Sequence, residues 1–113
     1  MSKRFDVIVF GATGFVGKQT AQQLDKLAKP DIKMAIAGRR LDALQALAAT
    51  LKRPVECVVA DSTNAATIDA MCASAKVVVT TAGPFLDYGS PVVEACVKHG
   101  THYLDITGET PWV

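Results

Sequence analysis

Residues 5–10 read FDVIVF and residues 11–17 read GATGFVG. A β-branched run that halts on a glycine, with two more glycines at three-residue spacing and a helical pattern beyond, describes a strand turning sharply into a helix. The first glycine allows the turn. The second, Gly14, carries no Cβ to obstruct close approach to the backbone, and Gly17 lets the helix pack against the strand. Backbone N–H groups at a helix start carry a partial positive charge and suit phosphate oxygens. Gly11-Ala12-Thr13-Gly14-Phe15-Val16-Gly17 therefore reads as a turn that binds the pyrophosphate of a dinucleotide; the bland alternative is a tight strand–helix turn with no ligand. A P-loop does not fit. Five residues separate Gly11 from Gly17-Lys18 where four are needed, and Gln19 stands where Ser or Thr would hold magnesium.

The same alternation continues along the chain. Strands are expected at Phe5–Phe10, Ile32–Ala37, Val55–Ala60, Lys76–Thr80 and His102–Ile106. Between them lie a helix over Phe15–Ala28, with Val16, Thr20, Leu24 and Leu27 on one face, and a helix over Leu41–Leu51, with Leu44, Leu47, Ala48 and Leu51 at helical spacing. A third helix, capped by Asn64, carries Ile68, Met71 and Cys72, and a fourth runs from Ser90-Pro91 to near Gly100. Nearly continuous Val, Ile and Ala in several strands predicts burial on both faces, hence a parallel sheet between two helical layers. With right-handed crossovers this is a doubly wound α/β fold, a Rossmann-type three-layer αβα sandwich of strand order 3-2-1-4-5. The 113 residues suffice for one domain.

The end of the second strand distinguishes the dinucleotides. An acid there would bind ribose hydroxyls and repel a 2′-phosphate. This chain has Gly38-Arg39-Arg40 and no acid before Asp42. Arg39 can lie over an adenine and fork onto a phosphate, and Arg40 can add charge. The expected cofactor is NADP, with NAD the alternative; without a ligand, the arginines would merely solvate a helix start, where cations are unfavourable. Asp61 and Ser62 end the third strand, where an adenine amino group can be received or the next helix capped. Thr80-Thr81-Ala82-Gly83-Pro84-Phe85 follows the fourth strand at the topological switch point, where small residues leave room for a nicotinamide ribose.

Composition narrows the partners. Twelve Lys and Arg against eleven Asp and Glu give a net charge of +1, which argues against a nucleic-acid or membrane-surface binder. Cys57, Cys72 and Cys96 have neither an even count nor CxxC spacing, so they read as buried thiols in a reducing compartment, and the expected location is cytoplasmic. His99 and His102 form HxxH without a third ligand, and no metal is expected. Neither Tyr88 nor Tyr103 is followed by lysine at the spacing of a short-chain dehydrogenase, and no catalytic acid or base is assigned. Asp105, Thr107 and Glu109, at or after the fifth strand, are candidates for a substrate cleft or are plain turn residues.

GATGFVG, AGRR and TTAGPFLDYGSPVVEACVKHGTHYLDITGE together resemble the saccharopine dehydrogenase-like oxidoreductases, in the branch that holds the trans-acting enoyl reductases. The resemblance spans nearly the whole chain and is most specific from Gly83 to Glu109. It implies an NAD(P)-binding N-terminal domain followed by a larger α+β domain that shapes the substrate site. It also implies that Gly11, Ala12, Thr13, Gly14, Phe15 and Val16 lie on the pyrophosphate side. Arg39 and Arg40 would then meet the 2′-phosphate, Asp61 and Ser62 the adenine, and Ala82, Gly83 and Pro84 the nicotinamide. A family member of this length would lack its sixth strand and its substrate domain, so residues 1–113 are expected to bind cofactor without turnover. The small-molecule substrate would meet the missing domain, and the open sheet edge predicts a homo-oligomer. The alternative is a non-enzymatic nucleotide sensor on the same fold; an atypical short-chain reductase or epimerase is disfavoured by the missing tyrosine–lysine pair.

Overall fold

Strand β1, Phe5–Phe10, lies at the centre of a five-stranded sheet, between β2, Met34–Gly38, and β4, Ala75–Thr80. β2 pairs outward with β3, Glu56–Val59, and β4 with β5, His102–Asp105. Every pairing is parallel and the order is β3-β2-β1-β4-β5, as the alternation predicts. The computed structural model describes residues 3–61, 63–80, 92 and 94–105. Helices α1, Phe15–Leu27, α2, Leu41–Ala48, and α3, Ala65–Ala73, connect the strands. A fourth helix, α4, occupies residues 94–99, with residue 92 also helical.

Successive strand side chains point to opposite faces, so each central strand feeds two cores. Ile8, Phe10, Ala35, Ala37 and Val78 pack with Ile68, Met71 and Cys72 of α3 and with Ala95 and Cys96 of α4. Val9 and Ile36 pack on the other face with Ala21 of α1 and with Leu44 and Leu47 of α2. Burial on both faces holds for all of β2 and for the second halves of β1 and β4. It fails at β3, where no residue is fully buried, because an edge strand has a neighbour on one side alone.

Several boundaries and faces differ from expectation, each for a local reason. α1 does not bury a Val16–Thr20–Leu24–Leu27 stripe. Its buried residues are Gly17 and Ala21, and Leu27 is 75% exposed. Val16, Thr20 and Leu24 are half-buried, with Leu24 packed against the core, while Gly17 and Ala21 let the helix lie close to the preceding turn. β2 begins at Met34 rather than Ile32, because the Ile32 N–H bonds back to the Lys29 carbonyl in a turn (3.1 Å). α2 ends at Ala48, three residues early. Thr50 and Leu51 form tight three-residue bonds, and the Asp25 carboxylate of α1 accepts the N–H groups of Lys52 (2.7 Å) and Arg53 (3.2 Å). β3 spans Glu56–Val59 rather than Val55–Ala60, and β4 starts one residue earlier than expected, at Ala75. β5 is seen to Asp105; Ile106 lies outside the described residues.

Two caps fix the other face. Asn64 accepts the Ala66 N–H (3.1 Å) at the start of α3, as its position predicts. α4 ends in a Schellman arrangement: Gly100 has φ +66, its N–H bonds the Val97 carbonyl, and the Thr101 N–H bonds the Cys96 carbonyl (2.8 Å). Lys3 donates to the His99 carbonyl (2.9 Å) and to the Thr101 hydroxyl (3.0 Å), tying the chain's start to this end.

Candidate functional site

The strand registers bring the carboxyl ends into one row. Phe10 stands opposite Ala37 and Thr80, Gly38 opposite Val59, and Thr80 opposite Asp105. The glycine turn, Arg39, Arg40 and Asp61 therefore emerge along one sheet edge, and β1 and β4 flank the point where the winding reverses. In open α/β sheets that crevice is where ligands bind. A groove of about 680 Å³ lies at the opposite, amino-terminal edge, lined by Phe5, Met34, Arg53 and Pro54 among others. It is remote from the carboxyl ends and lacks the glycine turn.

The three glycines of the turn do different work. Gly11 has φ +83, a conformation that favours glycine, and its N–H bonds the Ala37 carbonyl (2.9 Å). A Cβ on Gly17 would sit 2.8 Å from the Ala12 Cα and closer still to the Gly11 carbonyl oxygen, so the packing of α1 requires glycine there. Gly14 has φ −75 and ψ 171, and a Cβ added to it would make an ordinary 3.5 Å contact with the Gly11 oxygen. No described residue requires glycine at Gly14, which is exposed at the start of α1. It has no side chain with which to cap, and the first bond into the helix runs from the Lys18 N–H to the Gly14 carbonyl (2.9 Å). The N–H groups of Phe15, Val16 and Gly17 precede that bond and face out of the helix end. Ala12 instead buries its methyl in the core and spends its N–H on the Ala37 carbonyl (3.2 Å). This cradle of uncapped donors, bare of Cβ at its mouth, fits a phosphate-bearing ligand.

Gly38 behaves like Gly14. A Cβ on it would meet Leu44 at 3.6 Å and the Thr13 hydroxyl at 3.8 Å, both ordinary contacts, and that proximity joins the end of β2 to the glycine turn. Arg39 and Arg40 follow, both exposed, but they differ. Arg40 occupies the N-cap position of α2 and pairs with Asp42 (3.0 Å), whose carboxyl this bond holds below its ordinary value. Arg39 has no ion pair among the described residues. Asp42 thus answers for Arg40 at the helix start, while Arg39 has no such partner within ion-pair distance among the described residues. Sequence reading missed that pairing, whose signal is the two-residue spacing of opposite charges across a cap.

Asp61 accepts the Thr63 N–H (2.9 Å) and hydroxyl (2.8 Å), which lower its pKa, with a smaller contribution from the Arg39 charge. Its own N–H bonds Thr67 (3.0 Å). Ser62, Ala82, Gly83 and Pro84 lie outside the described residues, as do Tyr88, Thr107 and Glu109. His99 pairs with Asp69 (2.9 Å) while His102 is exposed on β5, and no three potential ligands gather for a metal among the described residues. All three cysteines are free. Among the described residues no helix is long and apolar enough to cross a membrane.

Residues 7–112 match the family model described as the saccharopine dehydrogenase NADP binding domain. The chain belongs to that family. Its cofactor is NADP. A trans-acting enoyl reductase of Mycobacterium leprae is 43% identical over 110 residues, covering 95% of this chain and 26% of the relative. A trans-acting enoyl reductase of Mycobacterium bovis is 41% identical with the same coverage, so the chain spans about a quarter of the length of these relatives. Among solved structures, the L-Glu-forming saccharopine dehydrogenase of Saccharomyces cerevisiae superposes with a TM-score of 0.72 at 25% identity, covering 89% of this chain and 21% of that one. The triphenylmethane reductase of Citrobacter sp., in complex with NADP(H), superposes at 0.75 with 21% identity, covering 89% of this chain and 36% of that one, and supports the fold.

Proposed function

We propose that this chain is the cofactor-binding unit of an enzyme that transfers hydride between NADP(H) and a small-molecule substrate, of the enoyl class named in its relatives. The observation that supports the reading is the division among the glycines: Gly11 and Gly17 answer to the fold, whereas no described residue obstructs a Cβ at Gly14, which this reading assigns to the ligand. In this reading the N–H groups of Phe15 and Val16 hold the pyrophosphate beside Gly11, Ala12, Thr13 and Gly14. Arg39 carries the 2′-phosphate with Arg40 in support, and Asp61 and Ser62 border the adenine. Ala82, Gly83 and Pro84 follow β4 and border the nicotinamide, the group that supplies the hydride chemistry. What this chain's residues contribute is binding and orientation; the substrate site lies in sequence beyond these 113 residues, as relatives of four times the length suggest.

Three free cysteines suit a reducing, cytoplasmic setting. β5 has no outer neighbour among the described strands, and an open edge of this kind favours self-association unless another strand covers it. Light scattering decides between monomer and homo-oligomer. The functional reading is tested by following NADPH absorbance with the full-length protein and an enoyl thioester. Oxidation of NADPH that depends on the thioester is expected. NADPH binding without oxidation across a panel of enoyl thioesters would remove the enoyl assignment and leave the cofactor site standing.

A further inference from the structure

The other core face holds a pair of side chains that cofactor binding does not use. Cys72 of α3 and Cys96 of α4 are 0% and 1% exposed, and their sulfurs stand 3.5 Å apart, in hydrogen-bond contact. Among the described residues their other side-chain polar contact is a long one, from the Cys72 thiol to the Val92 carbonyl (3.8 Å). The two helices carry them toward each other from 24 positions apart in sequence. A cavity of about 200 Å³ runs between the same helices, lined by Ile68 and Asp69 on one side and Ala95 and Lys98 on the other. Ile68 and Asp69 lie one turn before Cys72, and Ala95 adjoins Cys96. The groove stops short of the sulfurs, which its lining does not include.

We infer that Cys72 and Cys96 form an oxidant-responsive dithiol, a modification site at which a small peroxide closes a reversible disulfide between α3 and α4. A disulfide needs the sulfurs to close from 3.5 Å to about 2.05 Å. Cys96 is the attacking member. Its hydrogen-bond contact with Cys72 holds the Cys96 thiol below the ordinary value against burial, with help from the Lys3 charge, and the same contact and burial push Cys72 up. The Cys96 thiolate attacks one peroxide oxygen and the O–O bond breaks. Cys96 becomes a sulfenic acid, and the departing oxygen takes a proton to leave as water. The Cys72 sulfur then attacks the Cys96 sulfur, the S–O bond breaks, and the second oxygen leaves as water with the Cys72 proton. Two thiols and one hydrogen peroxide give one disulfide and two waters, the sulfurs losing two electrons. Cys57, half-buried on β3 with its thiol raised by burial, serves as an internal control.

The test is peptide mapping of the folded protein after hydrogen peroxide, with remaining thiols alkylated before digestion without reductant. The expected product is a linked pair of peptides containing Cys72 and Cys96, two hydrogens lighter than its parts and separated by dithiothreitol. The Cys57→Ser variant gives the same linked pair. Cys72→Ser gives no linked pair and an oxygenated Cys96 instead; should that variant not fold, the Cys57→Ser result decides alone. Recovery of Cys72 and Cys96 as alkylated thiols after prolonged excess peroxide overturns the inference, and so does linkage of either one to Cys57 in preference to the other.

Discussion

A Cβ placed on Gly17 would collide with the carbonyl oxygen of Gly11, six residues earlier, while a Cβ on Gly14, between them, would fit. The pair separates fold from function within one turn. Gly17→Ala forces α1 away from β1 and is expected to destabilise the protein by about 3 kcal/mol, the upper range for overpacking. Gly14→Ala is expected to change stability by less than about 1 kcal/mol, as for other exposed cap positions, and to weaken NADPH binding. Thermal melts and a cofactor titration on both variants check the division; a Gly14→Ala protein as unstable as Gly17→Ala would refute it.

Arg39 and Arg40 are neighbours in sequence but not equivalent in charge. Because Asp42 already pairs with Arg40, Arg40→Ala should cost less NADPH affinity than Arg39→Ala. Asp42→Asn releases Arg40 and should tighten NADPH roughly two- to fivefold, the range for an exposed pair, leaving NADH unchanged. Equal losses from the two arginine variants would contradict this ranking.

Stability at acid pH rests on a different pair. Arg53 bonds the Asp25 carboxylate (2.9 Å) and the carbonyls of Asp25, Ala28, Lys29 and Ile32, with the Arg53 and Asp25 side chains 13% and 6% exposed. Burial pushes the Asp25 carboxyl up, but the Lys52 and Arg53 N–H groups and the Arg53 guanidinium outweigh it and hold it low. Removing one partner leaves the other charge buried, so Asp25→Asn and Arg53→Ala should each cost about 3 kcal/mol. A carboxyl lower in the folded than in the unfolded state contributes fully above about pH 4, the ordinary unfolded value, and its contribution is lost as pH falls through the depressed folded value. Urea melts from pH 7 down to pH 3 should show the gap between wild type and Asp25→Asn narrowing below pH 4. A gap independent of pH would mean that the ionised carboxylate is not what stabilises the pair.

What the sequence made legible was periodic or local. Strand–helix alternation and one glycine turn led to the sheet order, and Asn64 announced its cap. The departures came from partners remote in sequence. α1 buries Gly17 and Ala21 because Gly17 brings its axis onto Gly11, and a helical wheel has no knowledge of that distance. α2 stops early because Asp25, on another helix, captures the N–H groups that follow it. In the candidate site the glycines and arginines were visible in order, but the pairing of Arg40 with Asp42 needed the geometry of the cap. The meeting of Cys72 with Cys96 likewise depends on how two helices cross the same sheet face.

The central claim is that this sheet edge takes NADP through Arg39. Calorimetric titration of the protein with NADPH and with NADH, repeated for Arg39→Ala, tests it most directly. The account predicts NADPH binding at least about tenfold tighter than NADH, as one charge-assisted phosphate contact gives, and a preference that Arg39→Ala largely removes, leaving what Arg40 supplies. Equal binding of the two cofactors, or a preference untouched by Arg39→Ala, would contradict it.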